Sequence, residues 1–175
     1  MEKVVGTVVR GLRAPIFKAG DNLVRMIPDL LDRFFEAENI EIGKKDVVAI
    51  TESVVARTQG NYVTIDQVAK DLNPDFAGKE LGVILPILSR NRFAIVLRAI
   101  ASADVDKVIL QLSLPSDEVG NHLITLDQLD NANINPWKET ISEAEYRKLF
   151  GYQKHEFTGI DYVAYYKELV EECGK

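Results

Sequence analysis

Short apolar runs rich in β-branched residues alternate along this chain with longer apolar segments of helical spacing, which restricts it to folds that combine both element types. Strands are predicted at residues 4–9, 47–50 and 107–112. Helices are predicted at residues 22–38, 64–72, 81–102 with a break at 89–92, 142–150 and 160–172. Asp21 or Asn22 is expected to cap the first helix, and Thr64 and Gln67 to form a capping box at the second. The second helix is expected to end before Pro74, and Pro86 lies inside the third. Residues 125–137 are rich in Asn and Asp and are predicted to be irregular. This order predicts an α+β (mixed α/β) fold, with a small sheet and helices on its faces.

Charge and cysteine content narrow the choice of partners. A net charge of −6 and a pI near 5.0 disfavour nonspecific binding to nucleic acid or to an anionic membrane. Cys173 is the single cysteine and cannot form an internal disulfide, which predicts a reducing, cytoplasmic setting. The first six residues lead directly into a predicted strand, so no signal peptide is expected. Arginines interrupt the apolar stretches well short of the ~20 residues that a membrane span needs.

The last predicted helix, residues 160–172, is apolar over most of its circumference. A terminal helix on a complete domain normally has one apolar and one polar face. Two explanations stay open at this point. The helix packs in an oligomer interface, for which a homodimer is expected, or the native chain continues and a further segment covers it.

Three polar loops each follow a predicted strand directly, and ligands tend to lie at the carboxyl ends of strands. Residues 11–21 lead into a helix N-terminus, which favours an anion, or they form only a connection. In residues 51–60, Ser53 and Arg57 would share one helix face. That pair suits a phosphate or a ribose; the alternative is a capping hydroxyl and a solvated charge.

The third loop, residues 116–122, carries adjacent carboxylates and an amide in Asp117, Glu118 and Asn121. Such hard oxygen ligands suit Mg²⁺ or Mn²⁺ holding nucleotide phosphates, although the same residues also favour a plain turn. The two histidines, His122 and His155, show no ligand spacing. A histidine-rich zinc site is therefore not expected.

These loops resemble those of the coenzyme F-420 gamma-glutamyl ligases. The run Pro-Ile-Phe-Lys-Ala-Gly-Asp-Asn-Leu at residues 15–23 is similar to the opening loop and first helix of that family. Residues 46–60 are similar to its second strand and the segment that follows, and the loop at residues 116–122 is similar as well. The resemblance predicts that residues 1–175 form the N-terminal part of a gamma-glutamyl ligase-like protein. Residues 1 to about 125 match the family, and residues 126–175 form an Asn-rich extension with terminal helices.

In that family the first two segments contact GTP and the third loop binds a divalent metal. The resemblance thus implies GTP contacts from Ala14, Pro15, Ile16, Phe17, Glu52, Ser53, Arg57 and Asn121. It implies Asp117 as a metal ligand. Glu52 stands where a small hydroxyl residue is usual, and Arg57 where lysine is usual. These departures indicate a divergent branch, whose acceptor can differ from the deazaflavin coenzyme.

The implied activity is a GTP- and metal-dependent ligase that joins a substrate carboxylate to L-glutamate through an acyl phosphate. Mg²⁺ or Mn²⁺ is the expected metal, and a monovalent cation is a further candidate cofactor. The family's further metal ligands lie in the second half of its chain, so these 175 residues are expected to be inactive alone. Two alternatives stay open. One is a non-catalytic protein of the same fold that binds a nucleotide or a partner, and the other is a phosphate hydrolase that uses Asp117 and Glu118.

Overall fold

The computed structural model describes residues 6–84 and 87–175, and within them the fold is a mixed α/β one, as predicted. The elements in chain order are α1 (Leu23–Glu38), α2 (Glu52–Gln59), α3 (Ile65–Phe76), β1 (Glu80–Ile84), α4 (Phe93–Ser102), β2 (Lys107–Gln111), α5 (Leu126–Asn131), α6 (Glu143–Phe150) and α7 (Tyr162–Glu171). They fall into two compact units, Met1–Tyr62 and Val63–Lys175. None of the helices in the described ranges is long and apolar enough to span a membrane.

The unit Met1–Tyr62 contains α1 and α2, and its first loop is tied to the end of α2. The Asn22 side chain caps α1 by accepting a hydrogen bond from the Arg25 N–H at 3.2 Å, as the sequence predicts. The Gly20 N–H donates to the carbonyl oxygen of Thr58 at 2.8 Å. Gly60, with a φ of 69°, then ends α2 in the left-handed region that suits glycine. Residues 51–60, predicted as a polar loop in which Ser53 and Arg57 could share a helical turn, thus contain a helix of eight residues.

Two of the predicted strands are wrong where the structure describes them. Residues 6–9 and 47–50 have no strand pairing, and residues 4 and 5 of the first prediction lie outside the described residues. A β-branched run favours an extended backbone, but it becomes a strand only where another strand offers it an edge. The described part of Met1–Tyr62 supplies no such edge.

The unit Val63–Lys175 is built around a parallel βαβ arrangement of β1, α4 and β2. The strands pair in parallel from Glu80 opposite Lys107 to Ile84 opposite Gln111. The strand prediction at residues 107–112 is therefore confirmed, whereas residues 81–84 form a strand and not the start of a helix. A short apolar run fits a strand and a buried helix equally well, and only the pairing with β2 decides between them. Pro86, which we placed inside that helix, lies outside the described residues.

In the remaining helices, the capping residues predict the observed boundaries better than the helix-breaking proline does. Thr64 and Gln67 form the predicted capping box of α3, but the helix continues through Pro74 to Phe76. It continues because Leu72 and Phe76 pack against a small core of Ala69, Ala103 and Val105, which outweighs the cost of the proline. A further capping box at Thr125 and Gln128 opens α5 where irregular structure was predicted. Helices α6 and α7 confirm the last two predictions.

The main core lies between α4 and α7. It contains the buried side chains of Leu88, Phe93, Ala94, Leu97, Leu123, Tyr162, Tyr166 and Leu169. Three partly buried residues of α7, Val163, Tyr165 and Val170, pack against it. The broad apolar surface of α7 was the reason to predict a partner. Contacts within the chain cover much of that surface. The homodimer stays a prediction.

Tyr166 links α7 to the segment that follows β1. The Ser89 N–H donates to the Tyr166 hydroxyl oxygen at 2.8 Å, and that hydroxyl donates to the Ser89 carbonyl oxygen at 3.2 Å. Both residues are buried, so a Tyr166→Phe substitution leaves the Ser89 N–H without a partner, while the Ser89 carbonyl oxygen keeps the hydrogen bond from the Ala94 N–H. We expect it to lower the free energy of unfolding by about 1–3 kcal/mol. Urea denaturation followed by tyrosine circular dichroism measures this. Tyr165→Phe, at a half-buried position of the same helix, is the matched control and should change stability much less.

Candidate functional site

A cleft of about 640 Å³ opens between three segments of the unit Val63–Lys175. The segments are residues 88–91 after β1, residues 117–121 after β2, and residues 155–158 before α7. The side chains that line it are those of Leu88, Ser89, Arg90, Asn91, Asp117, Glu118, Val119, Asn121, His155, Phe157, Thr158 and Tyr162. Only the second segment was singled out from the sequence as a ligand site.

The first two segments are adjacent because a separate parallel contact forms beyond the two strands, in a register shifted by two residues from that of β1 and β2. Ile87 and Ser116 form an isolated parallel bridge, and the Leu88 N–H donates to the carbonyl oxygen of Ser116 at 2.6 Å. Ser116 also bridges to His122, which closes the loop between them. The cleft therefore lies at the carboxyl ends of the two parallel strands, where open α/β sheets bind ligands.

Asp117 organises the loop after β2. Its Oδ1 accepts hydrogen bonds from the N–H groups of Val119 at 3.0 Å and Asn121 at 2.9 Å. Its Oδ2 accepts one from the Asn121 side-chain amide at 2.7 Å. The Asn121 amide, with the two backbone N–H groups, holds the pKa of Asp117 at about 2, so the carboxylate is ionised at neutral pH. Asp117 and Asn121, predicted to act on a metal and a nucleotide, are thus in direct contact.

His155 faces the same carboxylate from the loop between α6 and α7. Only 3% of the residue is exposed. Its Nδ1 lies 3.1 Å from Thr158 Oγ1, while its Nε2 lies 3.3 Å from Asp117 Oδ2. That second contact lacks hydrogen-bond geometry, so Nε2 is a buried polar atom without a hydrogen-bond partner. Among the described residues, Tyr146 Oη and Arg147 Nε are buried without a partner as well, and a water or an ion can satisfy such atoms.

The segment after β1 forms the third wall, at the start of α4. Ser89 Oγ accepts a hydrogen bond from the Arg92 N–H at 3.1 Å and donates to Asn91 Oδ1 at 3.1 Å. The exposed side chains of Arg90 and Asn91 line the cleft opposite the Asp117 loop. Residues 89–92 were predicted as a break between two helices, but only the element after them, α4, is a helix, and β1 precedes them.

The other predicted GTP contacts lie in the unit Met1–Tyr62. Ala14, Pro15 and Ile16 are exposed in its first loop, and Phe17 beside them is buried. The exposed residues Glu52, Ser53 and Arg57 lie on α2, where Ser53 and Arg57 are four positions apart. The Gly20–Thr58 hydrogen bond brings that loop to the end of α2. A nucleotide cleft that uses these residues together with Asp117 stays a prediction.

The side chains near Asp117 determine whether the predicted metal ion can bind there. In residues 6–84 and 87–175, no group of three or more His, Cys, Asp or Glu side chains is arranged to surround one ion. Mg²⁺ and Mn²⁺ sites that hold nucleotides nevertheless use only one or two carboxylates and fill the other positions with water and phosphate. An ionised, oriented Asp117 in an open cleft fits that role, and the exposed carboxylate of Glu118 lines the same cleft.

The fold and the cleft define a mixed α/β protein whose candidate ligand site lies at the ends of parallel strands. The family model of F420-0:gamma-glutamyl ligase matches residues 11–145. The chain belongs to this family, and membership implies a ligase function. Among curated proteins no match was found, and among solved structures none was found either. Segments 11–21, 51–60 and 116–122 all lie within the matched range, whereas His155 lies beyond it.

Proposed function

We propose that this chain belongs to a GTP- and metal-dependent ligase that forms a gamma-glutamyl amide bond between a substrate carboxylate and L-glutamate. Family membership supports the bond type. The observation that carries the nucleotide and metal part is Asp117, an ionised carboxylate held by three hydrogen bonds at the edge of a strand-end cleft. Three such bonds fix the orientation of the carboxylate before any ligand arrives, as for ligating carboxylates in general.

The reaction would take place in two steps. A carboxylate oxygen of the acceptor attacks the terminal phosphorus of GTP, which releases GDP and leaves an acyl phosphate. The glutamate amine then attacks the acyl carbon, phosphate leaves, and the nitrogen loses a proton. A divalent metal bound at Asp117 would neutralise charge on the phosphate oxygens.

Protein groups would mainly position the reactants and balance their charge. Arg90 lines the cleft and would offer a guanidinium to an anionic group of the substrate. Arg57 and Ser53, on one face of α2, would offer a guanidinium and a hydroxyl to the nucleotide. The exposed position of both α2 side chains leaves them accessible to such a ligand.

Calorimetry with GTP and Mn²⁺ on the intact chain tests this proposal. We expect binding by the native sequence and an affinity at least about tenfold lower for Asp117→Asn, since neutralising one ligating carboxylate weakens a metal site by that order or more. Asp71→Asn, which neutralises an exposed carboxylate on α3, is the matched control and should bind normally. Thermal melts of the three proteins confirm that the loop has stayed folded.

The same titration separates the proposal from its alternatives. Equal binding by Asp117→Asn and the native chain would remove Asp117 from the nucleotide site. GTP binding that does not depend on Mn²⁺ would favour the non-catalytic nucleotide-binding role, since absence of phosphate release is expected of these 175 residues in either case. Phosphate release that requires neither L-glutamate nor a carboxylate acceptor would favour a hydrolase.

A further inference from the structure

The unpartnered nitrogen of His155 and the carboxylate of Asp117 have the spacing of two ligands of one metal ion. Metal–nitrogen and metal–oxygen bonds of about 2.1 Å place adjacent ligand atoms about 3.0 Å apart in an octahedral site and about 3.4 Å apart in a tetrahedral one. His155 Nε2 and Asp117 Oδ2 are separated by 3.3 Å. Their contact lacks hydrogen-bond geometry but is within ion-pair distance, so an imidazolium–carboxylate pair is the alternative to a shared metal ion.

The other side of the imidazole carries the support that a metal-binding histidine requires. Ligating histidines almost always bond through their second nitrogen to a neighbouring acceptor, which fixes the ring. His155 Nδ1 lies 3.1 Å from Thr158 Oγ1, and the Tyr162 ring packs edge-on against the imidazole at 5.7 Å. The backbone is also held, because the His155 N–H donates to the Ile160 carbonyl oxygen at 2.9 Å. The ring therefore cannot turn away from the cleft without breaking several contacts.

We propose that His155 Nε2 and Asp117 Oδ2 together bind one divalent transition-metal ion in this cleft, with water or phosphate oxygens at its remaining positions. The proposal rests on the proposed function for the role of Asp117 and adds a ligand from beyond residue 145, where the family match ends. An imidazole nitrogen beside a carboxylate favours Mn²⁺ or Zn²⁺ over Mg²⁺, which takes oxygen ligands almost exclusively. The loop between α6 and α7 would then set the metal preference of the site.

Electron paramagnetic resonance with Mn²⁺ alone, without nucleotide, provides the test on the intact chain. Pulsed spectra of the native protein should show the ¹⁴N modulation of a directly bound imidazole, a signal that requires no substitution. His155→Gln should weaken Mn²⁺ binding at least about tenfold and abolish the modulation. Glutamine can still donate a hydrogen bond from near the Nε2 position, so a merely positioning histidine would be largely replaced by it. His122→Gln, at the exposed second histidine, is the matched control and should keep both affinity and modulation.

The outcomes distinguish this inference from the proposed function. Mn²⁺ binding that Asp117→Asn abolishes, but without ¹⁴N modulation and without loss in His155→Gln, would overturn the histidine ligand and leave the metal role of Asp117 intact. No Mn²⁺ binding by the native chain at millimolar concentration would overturn both. Modulation that disappears in His122→Gln and persists in His155→Gln would show that His122 binds the metal. That result would refute the proposal.

Discussion

Replacing Leu97 with alanine is expected to lower the free energy of unfolding of the unit Val63–Lys175 by about 3 kcal/mol. Leu97 lies in the middle of α4, is 0% exposed, and belongs to the core between α4 and α7. Truncating a fully buried leucine removes its transfer free energy and leaves a cavity, at a cost of about 2–5 kcal/mol. Because α4 also connects the two strands whose ends form the cleft, the loss should reach the site as well.

Urea denaturation followed by near-ultraviolet circular dichroism measures this effect, since five of the six tyrosines lie in this unit, at positions 146, 152, 162, 165 and 166. Ile95→Ala, at a position of the same helix that is 51% exposed, is the control for helix propensity and should cost far less. Similar losses for the two variants would contradict the packing of α4 against α7 described above.

Two helix starts were predictable because their signals are local, although the equally local capping box of Thr125 and Gln128 was missed. The Thr64–Gln67 capping box and the Asn22 cap lie within four residues of the helices that they start, so the sequence specifies them without knowledge of the fold. Strands were less predictable because a strand needs a distant partner. Residues 107–111 pair and residues 47–50 do not, although both runs are similarly apolar and β-branched.

The candidate site shows the same division between local and distant information. The loop from Asp117 to Asn121 was recognised because its ligands are contiguous and its turn residues are explicit. His155 was passed over because it lies 33 positions from His122 and far along the chain from Asp117. Only the packing of the loop before α7 against the end of β2 brings the two groups within 3.3 Å. The one local signal was Thr158, three residues on, which can bond to Nδ1.

The ion pair that holds the His155 loop in place should be as important to stability as the core. Arg147 on α6 donates to Asp161 Oδ2 at 2.6 Å and to Oδ1 at 3.2 Å, and their side chains are only 13% and 12% exposed. Asp161 in turn caps α7 by accepting hydrogen bonds from the N–H groups of Val163 and Ala164. An Arg147→Met substitution leaves a largely buried carboxylate without its partner. We expect the free energy of unfolding to fall by about 2–4 kcal/mol.

Arg98→Met is the matched control for this substitution, because Arg98 pairs with Glu172 at 2.9 Å but both side chains are well exposed. That variant should unfold nearly as the native chain does, since solvent screens an exposed pair. The free energy of unfolding of Arg147→Lys should lie between those of Arg147→Met and Arg98→Met, because one ammonium group cannot reproduce the forked contact of the guanidinium. The His155 loop lies between Arg147 and Asp161 in the chain, so Arg147→Met should also weaken Mn²⁺ binding while Arg98→Met leaves it unchanged. Loss of stability in Arg147→Met with full retention of Mn²⁺ affinity would show that the loop keeps its position without the ion pair, and would separate the stability of this unit from its metal site.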